Sequence, residues 1–301
     1  MFSNESQGHR IMRFFFLMVC MCAITFGQSA HSQDTNVYWT KGGNLGVNFS
    51  QVSLSNWSGG GKSTVSVTGL TNFFANYKDV NSIWNNSLEL GYGLTKLEGQ
   101  DFRKSDDRII LISQYGFKAN EQLSYSGLLD FRTQFSQGFK YTDDGKEILI
   151  SNFMAPGFIS LSAGMTYRPS DWLEIMVAPV SNRLVVVADD TLSKQGAFGV
   201  DKGKNIRNNL GANLNIFLKK EIVQNVTFQT RFNLFSPYQS LATAVITWET
   251  LLNLKVNDYI TASFATDLLY DEKILITRDN GTIGPSTQFR SVLAIGLGYK
   301  F

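Results

Sequence analysis

The chain has 301 residues, of which 43% are hydrophobic and 13% aromatic, with 23 Phe. Only 17% are charged, against about 25% in an ordinary soluble domain. The net charge of +2, with no long run of Lys or Arg, excludes an electrostatic nucleic-acid surface. Beyond the amino-terminal segment nothing approaches the roughly 18 consecutive apolar residues of a membrane helix, so the apolarity is spread along the chain.

The first thirty residues predict a secretory signal peptide. His9, Arg10 and Arg13 form a basic start, Phe14 to Phe26 an apolar run too short to span, and Gly27, Ser29 and Ala30 a small-residue cleavage region. Cys20 and Cys22 lie inside it, so the rest of the chain has no disulfide or thiol chemistry, and His31 is the last histidine. Residues 31–43 are expected to form a periplasmic amino-terminal segment, and 44–301 a transmembrane barrel.

Strict alternation of apolar and polar residues marks strands with two different faces. The first expected strands are 44–56, 63–77, 82–96 and 108–118. In the next, Leu123, Tyr125, Leu129, Phe131 and Phe135 oppose Ser124, Ser126, Asp130, Arg132 and Gln134. Then, in 159–168, Ile159, Leu161, Ala163, Met165 and Tyr167 alternate with Ser160, Ser162, Gly164, Thr166 and Arg168. Pro179 lacks a ladder N–H and predicts a bulge or break in the strand at 172–188. Residues 206–219 follow. In 226–234 Arg231 lies on the polar face, in 244–255 Glu249 does, and Asp267 does in 259–271. In the last strand, 287–301, Leu293, Ile295, Leu297, Tyr299 and Phe301 share a face. Twelve strands result.

The expected connections alternate short and long, with short turns near Asp79, Ala119, Ser170, Ile222 and Asn257. Membrane barrels have short periplasmic turns and longer extracellular loops. The predicted fold is therefore all-β: a closed up-and-down antiparallel transmembrane barrel with both termini periplasmic, in a Gram-negative outer membrane. Tyr299 and Phe301 are expected to act as its assembly signal. Closure follows from physics, since hydrocarbon offers no partner for backbone N–H and C=O and any open edge would leave a row unpaired. The apolar face then meets lipid, and Asp130, Arg132, Arg231, Glu249 and Asp267 project into the lumen. Tyr92, Tyr167, Trp172, Tyr270 and Tyr299 fit interfacial girdles.

Few residues suggest a site. Gly59 to Thr64 resembles the tail of a phosphate loop, but Asn56 stands where the motif needs its first glycine, and a strand follows instead of a helix. Trp57, Gly60 and Gly61 are expected in an extracellular loop. So are Ile148 and Phe153, whose apolar surroundings in 138–156 suggest either a lid folded into the mouth or, preferably, a continuation of the fifth strand. The expected barrel contains no His or Cys, which argues against Ser–His hydrolysis and the usual zinc ligands. No catalytic, cofactor or metal residues are assigned. The acid pairs Asp106-Asp107, Asp143-Asp144, Asp189-Asp190 and Asp271-Glu272 are read as solvated loop charges, with bridging cations as the alternative.

Gln51, Ser53, Leu54, Asn56 and Trp57 before Gly60-Gly61, then Trp84-Asn85-Asn86 with Leu88, Lys104-Ser105 with Asp107, and Thr133-Gln134 to Gly138 resemble a Bacteroidetes family catalogued as domain of unknown function 3078. The resemblance extends over about Trp39 to Phe301. It implies an envelope protein and no activity. The expected function is a non-enzymatic, porin-like barrel, either a narrow channel or a binding or structural component. Uptake of a small hydrophobic or amphipathic molecule is the alternative, and an outer-membrane lipid-modifying enzyme is disfavoured. Expected partners are outer-membrane lipid and lipopolysaccharide, the assembly machinery and a small-molecule solute, with no nucleic acid.

Overall fold

A computed structural model describes residues 38–53, 62–142, 145–241, 243–257, 259–277 and 282–300. The expected signal peptide, Trp57, Gly60, Gly61 and Phe301 lie outside these residues. The compact unit is Tyr38–Phe301.

Twelve antiparallel strands close into one barrel. Its first five are β1 (Trp39–Val52), β2 (Thr64–Lys78), β3 (Ser82–Leu97), β4 (Arg103–Lys118) and β5 (Leu123–Thr133). A separate hairpin, β6 (Gly138–Tyr141) with β7 (Glu147–Ser151), follows outside the barrel. Then come β8 (Gly157–Ser170), β9 (Leu173–Val186), helix α1 (Asp190–Gln195), β10 (Ile206–Val223), β11 (Val226–Pro237), β12 (Val245–Lys255) and β13 (Ile260–Asp271). A small hairpin of β14 (Leu275–Thr277) and β15 (Ile283–Pro285) precedes β16 (Gln288–Lys300), which closes the circle against β1. No described helix is long and apolar enough to cross a membrane.

The strands have 11 to 18 residues, enough for a tilted strand to cross hydrocarbon. Along β8, Leu161, Ala163, Met165 and Tyr167 are exposed, whereas Ser162 and Thr166 are buried. Exposed Leu45, Val47 and Phe49 on β1, Val177 on β9, Leu210 on β10 and Leu293, Ile295 and Leu297 on β16 extend the same apolar exterior. Charged strand residues lie on the lumen face or toward strand ends, which is the inversion expected of a barrel in lipid. Around the short-turn end, Trp39, Trp84, Tyr115, Phe117, Tyr125, Tyr167, Trp172, Tyr259 and Tyr299 are exposed and form an aromatic belt. Trp39 meets Tyr77 and Trp84 there in tilted ring contacts, with centroids 5.3 and 5.7 Å apart.

Short and long connections alternate as predicted. Of the two two-residue turns, Asp171–Trp172 and Gln224–Asn225, the second places Asn225 at φ 65 and lets its N–H donate to Glu221. Four expectations need correction. Strand β4 starts at Arg103, not 108, because Arg103 and Lys104 pair with Thr95 and Leu94, so the connection after β3 shrinks to residues 98–102. Strand β1 starts at Trp39, not 44, because Trp39 to Gly43 pair with Phe73 to Tyr77, so the supposed leading segment contributes five residues to the wall. Residues 138–156 do not extend β5: the chain leaves the barrel at Thr133, and β6 pairs only with β7. The 187–205 loop also carries a helix.

The bulge predicted at Pro179 is present. The ladders on both sides of β9 shift register there, between Ala163 and Met165 on β8 and between Gly211 and Asn213 on β10. Pro179 and Val180 both remain exposed, and the Pro179 carbonyl accepts the Tyr238 hydroxyl. The bulge presses its backbone onto β8 at Gly164, where a Cβ would overlap the Val177 carbonyl oxygen and sit 2.5 Å from Ala178 Cα. Only glycine permits that approach.

Closure is uneven. Strands β1 and β2 pair from Trp39 to Val52, but β1 and β16 pair only from Asn44 to Asn48. Above that point Phe49–Val52 and Gln288–Ile295 have no ladder partner across the seam among the described residues.

Candidate functional site: a bridged lumen under a lid

The lumen is layered along its axis. Nearest the short turns, Arg168 of β8 pairs with Glu174 of β9 at 2.6 Å. Above them Leu128, Met176 and Ala178 form a buried apolar cluster with Ile112. A chain of hydrogen bonds follows: Asn233 Nδ2 donates to Asn213 Oδ1 (2.9 Å), Asn213 Nδ2 to Ser162 Oγ (3.2 Å), and the Ser162 and Ser181 hydroxyls meet at 2.8 Å. These contacts fill the side walled by β5 and β8–β11. On the other side the inward Asn72, Asn85, Ser87, Glu89, Thr261 and Ser263 are half-buried.

The charged layer lies above. Arg132 donates from Nε and Nη2 to the two carboxylate oxygens of Asp130 (2.7 and 3.0 Å), and from Nη1 to Glu249. Asp130 and Arg132 share the inner face of β5 because they are two residues apart. Glu249 stands on β12, with four strands between it and β5 one way around the wall and six the other. Arg132 therefore bridges the lumen. Arg231 of β11 braces Glu249 at 3.5 Å. Arg290 of β16 pairs with Asp267 of β13 (2.7 Å) and with Asp106 of β4 (2.8 Å), while Arg108 pairs with Glu89 at 2.8 Å. Asp271, 1% exposed, accepts Arg207 at 2.9 Å and has Arg183 3.9 Å away.

Over this layer sits a lid with its own small core: Ala155, Val187, Leu192 and Val200, packed by Leu149, Ala197 and Phe198. Asp189 caps α1, its carboxylate accepting the Thr191 and Leu192 N–H, and Gly196 ends the helix at φ 72. The Asp189 carboxyl is held below the usual carboxylate range, first by the hydrogen bond from the Asn152 side chain and then by those backbone donors. That bond ties the β6–β7 return to the helix. Within the charged layer is a cavity of about 270 Å³, lined among others by Asp130, Arg132, Glu249, Pro156, Phe158 and Arg183. A larger depression of about 650 Å³ lies on the outer wall around Gly127 and Ala163, beside Tyr115, Leu161 and Val180, and faces the surrounding hydrocarbon.

The structure thus brings Asp130, Arg132, Arg231, Glu249 and Asp267 into one layer. Ile148 and Phe153 are exposed on the lid, away from the lumen, and Tyr299 joins the aromatic belt. Arg108, Arg183, Arg207 and Arg290 are additions. Asp106 and Asp271 are not solvated loop charges: both end in ion pairs inside the barrel. Parity could have shown this for Asp271, which shares a strand face with Asp267. Asp107 is likewise committed, to Lys104 (2.7 Å) and to the Phe135 and Ser136 N–H. Asp189 is the helix cap, and Asp143-Asp144 lies outside the described residues.

The chain is similar in fold to the translocator domain of the autotransporter NalP from Neisseria meningitidis, at 10% identity and TM-score 0.40, covering 97% of this chain and 96% of that one. It is also similar to the NanC porin (12% identity, TM-score 0.39, 86% and 100% covered). A third similar structure is an outer membrane channel from Pseudomonas putida F1 (10% identity, TM-score 0.39, 90% and 100% covered). No curated protein matches the sequence. Residues 49–139, from β1 to the start of β6, match the family described as Protein of unknown function (DUF3078), which is the family the sequence resembles, over a shorter stretch than Trp39 to Phe301.

Proposed function

We propose that this barrel is a narrow, non-enzymatic channel of the Gram-negative outer membrane, with its short turns and both termini on the periplasmic side. The observation that carries the reading is the asymmetry of the lumen. One side is packed shut by Leu128, Met176 and the Asn233–Asn213–Ser162 chain. The other keeps a half-buried polar lining from Asn72 to Ser263 alongside the charged layer. A hydrated path beside a bridge of paired charges admits small polar solutes and resists large ones. The lumen carboxylates are engaged by arginines, and the chain has no His after His31, so a general base of the usual type is missing from the wall.

Reconstitution into planar bilayers tests this. Small, discrete conductance steps in potassium chloride are expected, together with slow liposome swelling in small sugars and none in large ones. Failure to conduct across repeated, verified insertions of folded protein would overturn the channel in favour of a closed binding or structural barrel.

A further inference from the structure

Among the described residues the lumen contains a guanidinium with more donors than close carboxylate partners. Arg183 lines the cavity beneath the lid, and its side chain is 8% exposed. Its closest carboxylate oxygen, Asp271 Oδ2, lies 3.9 Å away and already accepts Arg207 at 2.9 Å. The other Asp271 oxygen accepts the Lys273 N–H at 2.9 Å. The Arg183 Nε is buried without an acceptor among the described residues. Two guanidiniums thus share one carboxylate at this wall. A buried donor left unmade is costly, and a buried charge without a full counter-charge more so.

The other charged groups around the cavity have no such surplus of cations, and Arg108 rests on Glu89 at 2.8 Å. Asp130 and Glu249 hold Arg132, with Arg231 on Glu249, and Arg290 lies between Asp267 and Asp106. Arg183 is the locally uncompensated cation, so the cavity has room for one further negative charge. Phe158 shares the cavity wall and carries the Arg183 guanidinium 5.0 Å from its ring centroid. With Pro156 it gives an apolar surface next to the charge. A carboxylate matches the planar donor fork of arginine. A dianion would bring excess charge toward Asp130, Glu249 and Asp267.

We propose that this cavity is a binding site for a small organic monocarboxylate, its charge on Arg183 and its apolar body against Phe158. The proposal deepens the channel reading by naming a solute class. Isothermal titration of the intact barrel in detergent micelles tests it, with sodium benzoate as probe and sodium phosphate and sodium chloride as comparisons. Wild-type protein should bind benzoate saturably and more tightly than phosphate. R183Q should weaken benzoate by about tenfold or more, R183K should retain part of the affinity, and F158L should lose affinity for benzoate more than for acetate. Heat-modifiable gel mobility verifies that each variant is folded. No saturable benzoate binding, undiminished binding in folded R183Q, or phosphate binding as tightly as benzoate would each overturn the site. Conductance separates the two readings. Channels that conduct but do not bind benzoate remove the site alone, whereas a non-conducting barrel that binds benzoate through Arg183 keeps the site and removes the channel.

Discussion

The bridge across the lumen gives the most demanding prediction. In R132A, Asp130 loses both of its short arginine bonds and Glu249 keeps only Arg231 at 3.5 Å. Breaking a buried ion pair by removing one partner costs about 3–5 kcal/mol. Here the side chains retain 13–24% exposure, so water offsets part of the loss. The expected destabilisation is about 2–3 kcal/mol. E249A should cost less, about 1 kcal/mol, because Arg132 keeps its two-pronged hold on Asp130. The double variant should fall short of the sum by about 1–2 kcal/mol, since the two residues contact each other. Urea unfolding in lipid vesicles, followed by tryptophan fluorescence, measures the cycle. The same variants should raise single-channel conductance, R132A most, because its side chain spans the gap. Additive energies within about 0.5 kcal/mol, with unchanged conductance, would refute the bridge.

Other outcomes follow from local geometry. G164A should destabilise the barrel by about 1–3 kcal/mol, because its Cβ meets backbone at the bulge, whereas G127A, with nothing within 4 Å, should be near neutral; equal midpoints in urea would contradict the bulge packing. Asp189 has a depressed folded value, so its contribution to the lid is complete above the unfolded value near about 4 and is lost as pH falls through the lower folded one. The protection factors of the Thr191 and Leu192 amides, taken against their intrinsic exchange rates at each pH, should therefore fall at low pH, and D189A should lower them already at neutral pH, costing the cap about 1 kcal/mol. Along the closing seam, amides of Phe49–Val52 should exchange faster than those of Leu88–Leu90 in the fully paired β3–β4 ladder; equal protection would mean that the seam is zipped to the top.

Period-two alternation revealed all twelve wall strands, because a membrane barrel imposes one rule at every residue: apolar outward, polar inward. The same rule placed Asp130, Arg132 and Glu249 in the lumen. It could not show that Arg132 reaches Glu249, since which residues face one another across the lumen depends on the shear of the closed sheet. Nor did composition separate Asp106 and Asp271 from true loop acids, although counting parity from Asp267 would have kept Asp271 inside. Helix α1 was legible in principle: Asp189 and Gly196 are its cap and stop. Six residues between long strands are easily read as loop. The lid core was not legible, because Ala155, Val187, Leu192 and Val200 come from two separate loops and meet only in space. Arg183 was missed because an arginine looks the same in sequence whether or not its partner is shared.

The orientation of β8 tests the inverted interior most directly. The chain has no cysteine beyond Cys22, so single cysteines can be placed from 159 to 167 in turn and spin-labelled in lipid vesicles. Collision with oxygen should peak at positions 161, 163, 165 and 167. Collision with a polar nickel chelate should stay low there, and the two should alternate with period two against positions 160, 162 and 166. Oxygen maxima at the even positions, or no alternation, would contradict an apolar wall facing lipid around a polar lumen.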